Sequence, residues 1–306
     1  MLETSATPAE RRRVLSAGLS SGRLLRFPGA FNALCALLIA QYGFEGIYVS
    51  GAATSAALGL PDVGLTSVSE VSAVTAEIAR ASALPVLVDA DTGFGEPLNV
   101  ARAVQLLEDS GAAGCHLEDQ VMPKRCGHLE GKTLAAPEEM LRRLAAARVA
   151  RRDPNFVLCA RTDARALEGV PGAIERARAY AEAGADLIFV EALESPAEIA
   201  AVRAAIDAPL LVNVTEFGRT PLLRAEELAA LGVNVVLYPV TLLRLAMGAV
   251  ERGLGALRDV GTQSGMLDEM QSRSRLYEVI DYASYARVDD AVFNFRLPAP
   301  GGPDAH

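Results

Sequence analysis

Residues 85–120 read PVLVDADTGFGEPLNVARAVQLLEDSGAAGCHLEDQ, and this stretch decides the fold. Its first six residues form a short apolar run of strand type, leading into the acids Asp89 and Asp91. A helical pattern follows over 97–110 and stops at the pair Gly111-Ala112. A second apolar run, Gly114–Glu118, then ends in Glu118-Asp119. Apolar runs without polar alternation are strands buried on both faces, which implies a parallel sheet covered by helices. The unit is strand, helix, strand, with its charges at the C-terminal ends of the strands.

The unit recurs along the whole chain. A strand at 24–28 leads to a helix at 31–42, and one at 46–49 to a helix near 69–82. The run Gly114–Glu118 leads, after a long loop, to a helix at 137–151. Strands at 156–160, 187–190, 210–214 and 235–238 lead to helices at 172–183, 196–206, 224–231 and 242–257. Gly111-Ala112, Gly184-Ala185 and Ala208-Pro209 punctuate the helix-to-strand turns. Eight such units in 306 residues predict an α/β fold, the TIM (β/α)8 barrel, in preference to an open doubly wound sheet. One domain is expected over 1–306, with the barrel over about 22–258. Extra C-terminal helices are expected over about 265–295, packed on the barrel or on a neighbouring subunit, and a disordered tail over 297–306.

Composition narrows the function classes. Hydrophobic residues make up 51% of the chain, aromatics only 5%, and Trp is absent, so the core is aliphatic. The net charge of −9 argues against nucleic acid as a partner but leaves small anions open. Cys35, Cys115, Cys126 and Cys159 lack metal-site spacing and read as reduced thiols. The N-terminal run Arg11-Arg12-Arg13 has no apolar stretch behind it, and the longest apolar run, at 33–40, is too short for a bilayer. A cytoplasmic protein with no membrane partner is expected.

Polar residues fall at nearly every strand end: Ser50-Gly51-Ala52, Asp89 and Asp91, Glu118-Asp119, Arg161-Thr162-Asp163, Glu191, Asn213 with Thr215, and Pro239. In a barrel these ends share one face, where active sites are built. Asp89, Asp91 and Glu118 offer oxygen ligands for a hard cation such as Mg²⁺; strand capping or pairing with Arg161 is the competing reading. Arg161, and less distinctively Arg244 and Arg273, present forks for carboxylates. His116, inside a strand, reads as a core histidine. Lys124-Arg125-Cys126-Gly127-His128 sits on a long loop at 120–136 that reads as a lid. Its cations favour a thiolate at Cys126, and its glycine allows close backbone approach. A cation, arginines and a mobile thiol together suggest proton transfer at an enolate.

These residues resemble the isocitrate lyase/phosphoenolpyruvate mutase superfamily over about 26–293, most closely its methylisocitrate branch. The matching motifs are K-R-C-G-H at 124–128, V-D-A-D-T-G-F-G at 88–95, H-L-E-D-Q at 116–120, A-R-T-D-A at 160–164 and N-V-T-E-F-G at 213–218. The first is the signature of the lyase branch. The resemblance implies Mg²⁺ (with Mn²⁺ as a possible substitute) on Asp89 and Asp91, with Glu118 assisting through water. It implies that Ser50, Gly51, Ala52, Cys126, Gly127, Arg161, Glu191, Asn213, Val214, Thr215, Arg244 and Arg273 bind a di- or tricarboxylate. Ser-Gly-Ala at 50–52 replaces a more glycine-rich turn, a small departure.

By the same resemblance the reaction is cleavage of 2-methylisocitrate to pyruvate and succinate, in the 2-methylcitrate cycle of propionate catabolism. Cys126 is the acid that protonates the nascent succinate carbanion, with His128 and Tyr48 as further catalytic groups and Tyr48 a partner in proton relay. Phe189, Leu237 and Pro239 mark the pocket that admits the extra methyl, and the large insertion of isocitrate lyases is absent. The implied assembly is a homodimer or homotetramer that exchanges a C-terminal helix. Two rivals stay open. One is a related lyase acting on isocitrate, dimethylmalate or oxaloacetate, and the other is a non-catalytic dicarboxylate sensor or scaffold.

Overall fold

Each strand has a second, hidden alternation: successive side chains point into the ring of strands and out toward the helices. The computed structural model describes residues 6–294. Its strands are β1 (Leu25–Pro28), β2 (Ile47–Val49), β3 (Val86–Asp89), β4 (Gly114–Glu118), β5 (Val157–Thr162), β6 (Leu187–Val190), β7 (Leu210–Asn213) and β8 (Val235–Tyr238). All pairings are parallel in the order β1-β8-β7-β6-β5-β4-β3-β2. A parallel bridge between Gly29 and Tyr48, with Ala30 N–H donating to the Tyr48 carbonyl at 3.0 Å, closes β1 onto β2. The expected eight-unit α/β barrel is therefore the fold.

Outward residues such as Val49, Val88, Leu117, Leu158, Ile188 and Val212 pack beneath the helices in one core. Inward residues such as Phe27, Tyr48, Leu87, Phe189 and Leu237 fill the ring in a second. Both faces of each strand are buried, which is why the strands read as unbroken apolar runs. Gly111 and Gly184 adopt φ of +86° and +92° just after their helices, a region where a side chain would be strained.

The structure adds elements that the sequence reading lacked. Helix Pro8–Leu19, opened by a Thr7/Glu10 capping box and Pro8, inserts Leu15 and Leu19 into the inward core and plugs the bottom of the ring. Buried Arg11 donates to the carbonyls of Ala79 and Ser82. Buried Arg12 reaches those of Ala112 (3.0 Å) and Glu108 (2.6 Å). The basic run thus caps the carbonyl ends of two neighbouring helices, Val68–Ala81 and Pro97–Asp109. A short helix, Gly51–Ala57, starts where a turn was expected. The helical run Arg165–Glu182 is broken at Gly169 (φ 71°), so its regular part starts near Pro171 as the sequence indicated.

Beyond helix Thr241–Val260 lie a short turn of helix at Ser264–Glu269 and the helices Arg273–Val279 and Tyr282–Phe293. The expected tail at 297–306 is outside the described residues, as is the end of the helical region at 295. No helix among the described residues is long and apolar enough to cross a membrane.

Because Leu15 is 1% exposed at the centre of the plug, Leu15→Ala should cost about 2–5 kcal/mol of folding free energy in urea titrations. A loss below about 1 kcal/mol would show that the plug is not part of the barrel core.

Candidate active site

Following the inward positions upward, the core gives way to charge. Above Tyr48, Leu87, Phe189 and Leu237 come Ser50, Asp89, Glu191 and Pro239, two residues further along their strands. β4 and β5 add Glu118 and Arg161, which are register partners. The sequence reading of the strand ends as one face is correct.

Asp89 is held in place by three donors. The Gly51 N–H donates to its Oδ2 at 3.1 Å, the Asp91 N–H to its Oδ1 at 3.1 Å, and the Tyr48 hydroxyl lies 3.4 Å from Oδ2. His116, expected as an inert core residue, lies 2.8 Å from the Tyr48 hydroxyl through Nε2 and forms the floor of the site with Phe189, whose ring it meets edge-on at 5.5 Å. Burial lowers the His116 pKa against the pull of Asp89, and burial with Asp89 raises the Tyr48 phenol well above its ordinary value. Tyr48 can therefore donate a proton in a hydrogen bond but cannot serve as a base near neutral pH.

Asp91 and Glu118 complete an acidic cluster. Burial and then the neighbouring Asp89 push the Asp91 carboxyl up to about 6. Burial pushes Glu118 well above the usual range. Burial also acts upward on Asp89, but His116, Lys124 and Arg161 outweigh it and hold that group low. Crowded carboxylates with raised pKa values gain most from a nearby cation. In this structure the cation is the Lys124 ammonium, 2.7 Å from Asp91 Oδ1 and also paired with Asp62.

Among the described residues no three imidazole, thiol or carboxylate groups form a ready metal cage. The donor set nevertheless fits Mg²⁺, which takes one or two carboxylates and keeps water on its remaining positions. Both Glu118 carboxylate oxygens are buried and accept no hydrogen bond, and Asp89 and Asp91 supply hard oxygens beside them.

Arg161 ties the strand ends together. Its Nε and NH2 donate to Asp163 at 3.0 and 3.1 Å, its NH1 lies 3.2 Å from Glu118 and its NH2 3.5 Å from Glu191. The guanidinium sits 5.3 Å above the Phe189 ring. The reading of Glu118 as an Arg161 partner is thus as real as its reading as a metal ligand. Glu191, brought down to about 2 by Arg161 and His128 against the upward effect of burial, also accepts from Asn213 Nδ2 at 3.3 Å. His128 is fixed by name and place: its Nδ1 accepts the Arg219 N–H at 3.0 Å, leaving Nε2–H to face Glu191 at 3.2 Å.

The loop bearing Cys126 is seated on this layer. Gly127 lies so close to it that a Cβ would come within 2.3 Å of Glu191 Cγ and 2.5 Å of Arg161 NH2. The expectation of a thiolate at Cys126 is corrected. Burial pushes the thiol up, and the His128 N–H and Arg161 do not overcome it. The Lys124 ammonium faces Asp62 and Asp91 instead. A protonated thiol is the form an acid requires.

The other sequence-indicated residues divide by place. Ser50 caps helix Gly51–Ala57 through Ala53 N–H at 3.4 Å, and half-buried Ala52 lies in its first turn. Val214 and Thr215 are buried just past β7, with Val214 N–H on the Leu237 carbonyl at 3.0 Å. Phe189 and Leu237 are floor residues, and Pro239 is buried beyond the end of β8. Arg244 stands apart at the rim, half-exposed, 3.8 Å from Glu216 and stacked on Phe217. Arg273 is exposed on helix Arg273–Val279, whose Arg275 bonds Gln41 on the outer layer of helices; this chain alone does not bring Arg273 to the other site residues. Sequence reasoning missed Asp62, Lys132 and the roles of Asp119 and Asp163. Asp119 and Asp163 stand in strand-end motifs, whereas Asp62 and Lys132 carry no signal beyond their loops.

If the thiol is held protonated, iodoacetamide labelling of Cys126 should titrate with a midpoint above the ~8.5 of a free cysteine. A protonated acid is lost as pH rises through that raised value, so the thiol should impose a decline of catalysis on the alkaline side. A labelling midpoint at or below pH 7 would remove the acid role.

Comparisons with known proteins identify the family. The model of the phosphoenolpyruvate phosphomutase family matches residues 15–258. A probable 2-methylisocitrate lyase 2 from Corynebacterium glutamicum is 56% identical over 295 residues, covering 96% of both chains. The 2-methylisocitrate lyase of Escherichia coli is 44% identical over 283 residues, 92% of this chain and 96% of that one. Among solved structures, oxaloacetate acetylhydrolase with 3,3-difluorooxalacetate superposes with a TM-score of 0.88 at 36% identity, over 95% of this chain and all of that one. A phosphonopyruvate hydrolase complex with oxalate and Mg²⁺ gives 0.83 at 32% identity, over 93% and 99%. With an eight-stranded barrel, a matching family model and full-length relatives of this identity, the chain belongs to the phosphoenolpyruvate phosphomutase family, within the isocitrate lyase/phosphoenolpyruvate mutase superfamily.

Proposed function

We propose that the chain is a Mg²⁺-dependent carbon–carbon lyase that cleaves 2-methylisocitrate to pyruvate and succinate, in the 2-methylcitrate cycle. The observation that carries this reading is the seated K-R-C-G-H loop, which packs Gly127, next to Cys126, against the Arg161–Glu191 pair of the acidic, arginine-bridged layer. Relatives at 56% and 44% identity over nearly the full length bear that activity in their names.

Asp89, Asp91 and Glu118 would hold the Mg²⁺, which when bound neutralises the substrate's α-carboxylate and hydroxyl oxygens. Arg161, with Asn213 and the first turn of helix Gly51–Ala57, supports the carboxylates. As the substrate's hydroxyl gives its proton to a base and becomes the pyruvate carbonyl, the C–C bond breaks and Cys126 Sγ delivers its proton to the carbon left electron-rich, forming succinate. His128, anchored to Glu191 and to the Arg219 N–H, fixes the backbone next to that thiol. Tyr48, a phenol on the floor, donates to Asp89 and keeps it oriented, with His116 Nε2 hydrogen-bonded to the same hydroxyl. Four free cysteines fit a reducing compartment, the cytoplasm.

The assembly is proposed to be a homodimer or homotetramer with exchanged C-terminal helices. Helix Thr241–Val260 buries none of its residues and exposes Leu245, Leu254 and Val260, and helix Tyr282–Phe293 likewise leaves Val292 and Phe293 bare. Between the strands and the first of these lies an apolar cavity of about 620 Å³, lined by Phe31, Leu38, Tyr42 and Leu242. Apolar faces of this extent mark protein contacts. Light scattering at micromolar concentration should return a multiple of the chain mass; a monomer would sink the assembly.

Purified protein with Mg²⁺ should release pyruvate from 2-methylisocitrate with a kcat/KM at least about tenfold above that for isocitrate, 2,3-dimethylmalate or oxaloacetate, since one methyl is worth ~1–3 kcal/mol of discrimination. Exhaustive chelation should abolish turnover and Mg²⁺ restore it. Cys126→Ser should bind substrate in calorimetry yet lose at least about 100-fold in kcat. Preference for another acid, or binding without turnover in the unaltered chain, would overturn the substrate reading or the lyase reading respectively.

A further inference from the structure

Lys132 is an anomaly in its own stretch of the loop, where Leu129, Glu130, Gly131 and Thr133 are all exposed. Its side chain is 3% exposed, whereas Glu130 beside it is fully open to solvent at 93%. A buried ammonium is costly unless it is paired and hydrogen-bonded, so its partners mark where the fold holds it. It has two. Its Nζ donates to the Gly127 carbonyl, and it lies 3.4 Å from Asp163 Oδ1.

Those partners belong to different parts of the molecule. Gly127 is the residue beside Cys126, at the tip of the loop. Asp163 is part of the barrel: its N–H donates to Asp119 Oδ1 at 2.9 Å, and its carboxylate grips Arg161 through two bonds. Asp119 is in turn fixed by Thr162 (2.7 Å), Tyr180 (2.9 Å) and Arg176 (3.2 Å). The neck of the loop has its own fastening, with Val121 N–H on the Thr133 carbonyl and Ala135 N–H on that of Asp119, both at 2.8 Å. Gln120 holds Arg125 on the tip's other side through a pair of bonds of 2.8 and 2.9 Å. Neck fastening does not settle how the tip lies. For residue 127, the described bond that reaches the barrel runs through Lys132.

We infer that Lys132 is a positioning residue that latches the Cys126 loop shut, joining the Gly127 carbonyl to Asp163 and so setting the thiol's position against Arg161. Removing the ammonium leaves the Gly127 carbonyl and one Asp163 oxygen without that donor, and the tip held only through Lys124 and His128 on either side of it. The acid then points at the reacting carbon in only part of the population. Substrate binding, which depends on the strand-end groups, changes little.

The inference rests on the lyase reading for its kinetic readout, so a second readout needs no substrate. Lys132→Met in the full chain should lower kcat about 100-fold while KM stays within about threefold, the signature of a misplaced acid. Alkylation of Cys126 by iodoacetamide at fixed pH, resolved by peptide mapping, should quicken about tenfold as the thiol becomes exposed. Lys132→Arg retains the cation and should recover kcat to within about tenfold of the original and restore Cys126 protection. It also serves if the methionine variant fails to fold, because a guanidinium that protects Cys126 no better than an unfolded control would overturn the latch. Unchanged kcat and unchanged alkylation in folded Lys132→Met, with only the melting temperature lowered, would reduce Lys132 to a structural residue and overturn it as well. Lack of turnover in the unaltered chain would defeat the lyase reading, while the alkylation comparison would still decide the latch.

Discussion

A single buried guanidinium organises the upper layer of this barrel. Arg161 stands at the centre of the ring with Glu118, Asp163 and Glu191 around it, on β4, just after β5 and just after β6. None of these charges would be tolerated alone at such burial, and each is tolerable because the others are there. The three contacts also have different consequences. Glu118 leads to the acidic cluster, Glu191 to His128, and Asp163 to Lys132 and the loop carbonyl. A site assembled from several strands therefore answers to one position of one side chain.

Residue alternation explains why charge of this density does not unravel the barrel. Inward positions are apolar through the lower part of the ring and sealed below by Leu15 and Leu19, so water reaches the charged layer from one side only. The strands change character over one inward step, from Phe189 to Glu191 or from Tyr48 to Ser50. Below that step the sequence serves stability; above it, chemistry. The low dielectric under the layer strengthens every ion pair in it and keeps the Cys126 thiol protonated.

Much of this was legible from residue order. Eight apolar runs, most of them ending in polar residues, point to the barrel and the face of the site, and Asp89, Asp91, Glu118 and Arg161 declare themselves by falling at those ends. What was hidden follows a common cause. Helix Pro8–Leu19 buries two of its arginines as caps for other helices, so a pattern that tracks apolar spacing passes over it. Helix Gly51–Ala57 is built from small residues with no amphipathic face. The thiolate expectation failed because adjacency in sequence is not adjacency in space: Lys124 is two residues from Cys126, yet its ammonium is turned to Asp91. Arg244 and Arg273 show the reverse, chemically apt side chains that this chain by itself leaves at the rim and on the outside.

The loop is best understood as a carrier of charge as well as of a thiol. Seating it brings the Lys124 ammonium onto Asp91 and Asp62, and the Lys132 ammonium beside Asp163, so two cations arrive with the acid. The barrel layer, counted without the loop, holds Asp89, Asp91, Glu118, Asp163 and Glu191 against Arg161 alone. The seated loop balances part of that excess through its two ammonium groups, and a divalent cation would relieve it in the same way. The first residue of K-R-C-G-H is therefore tied to the acidic layer as directly as the glycine beside its cysteine.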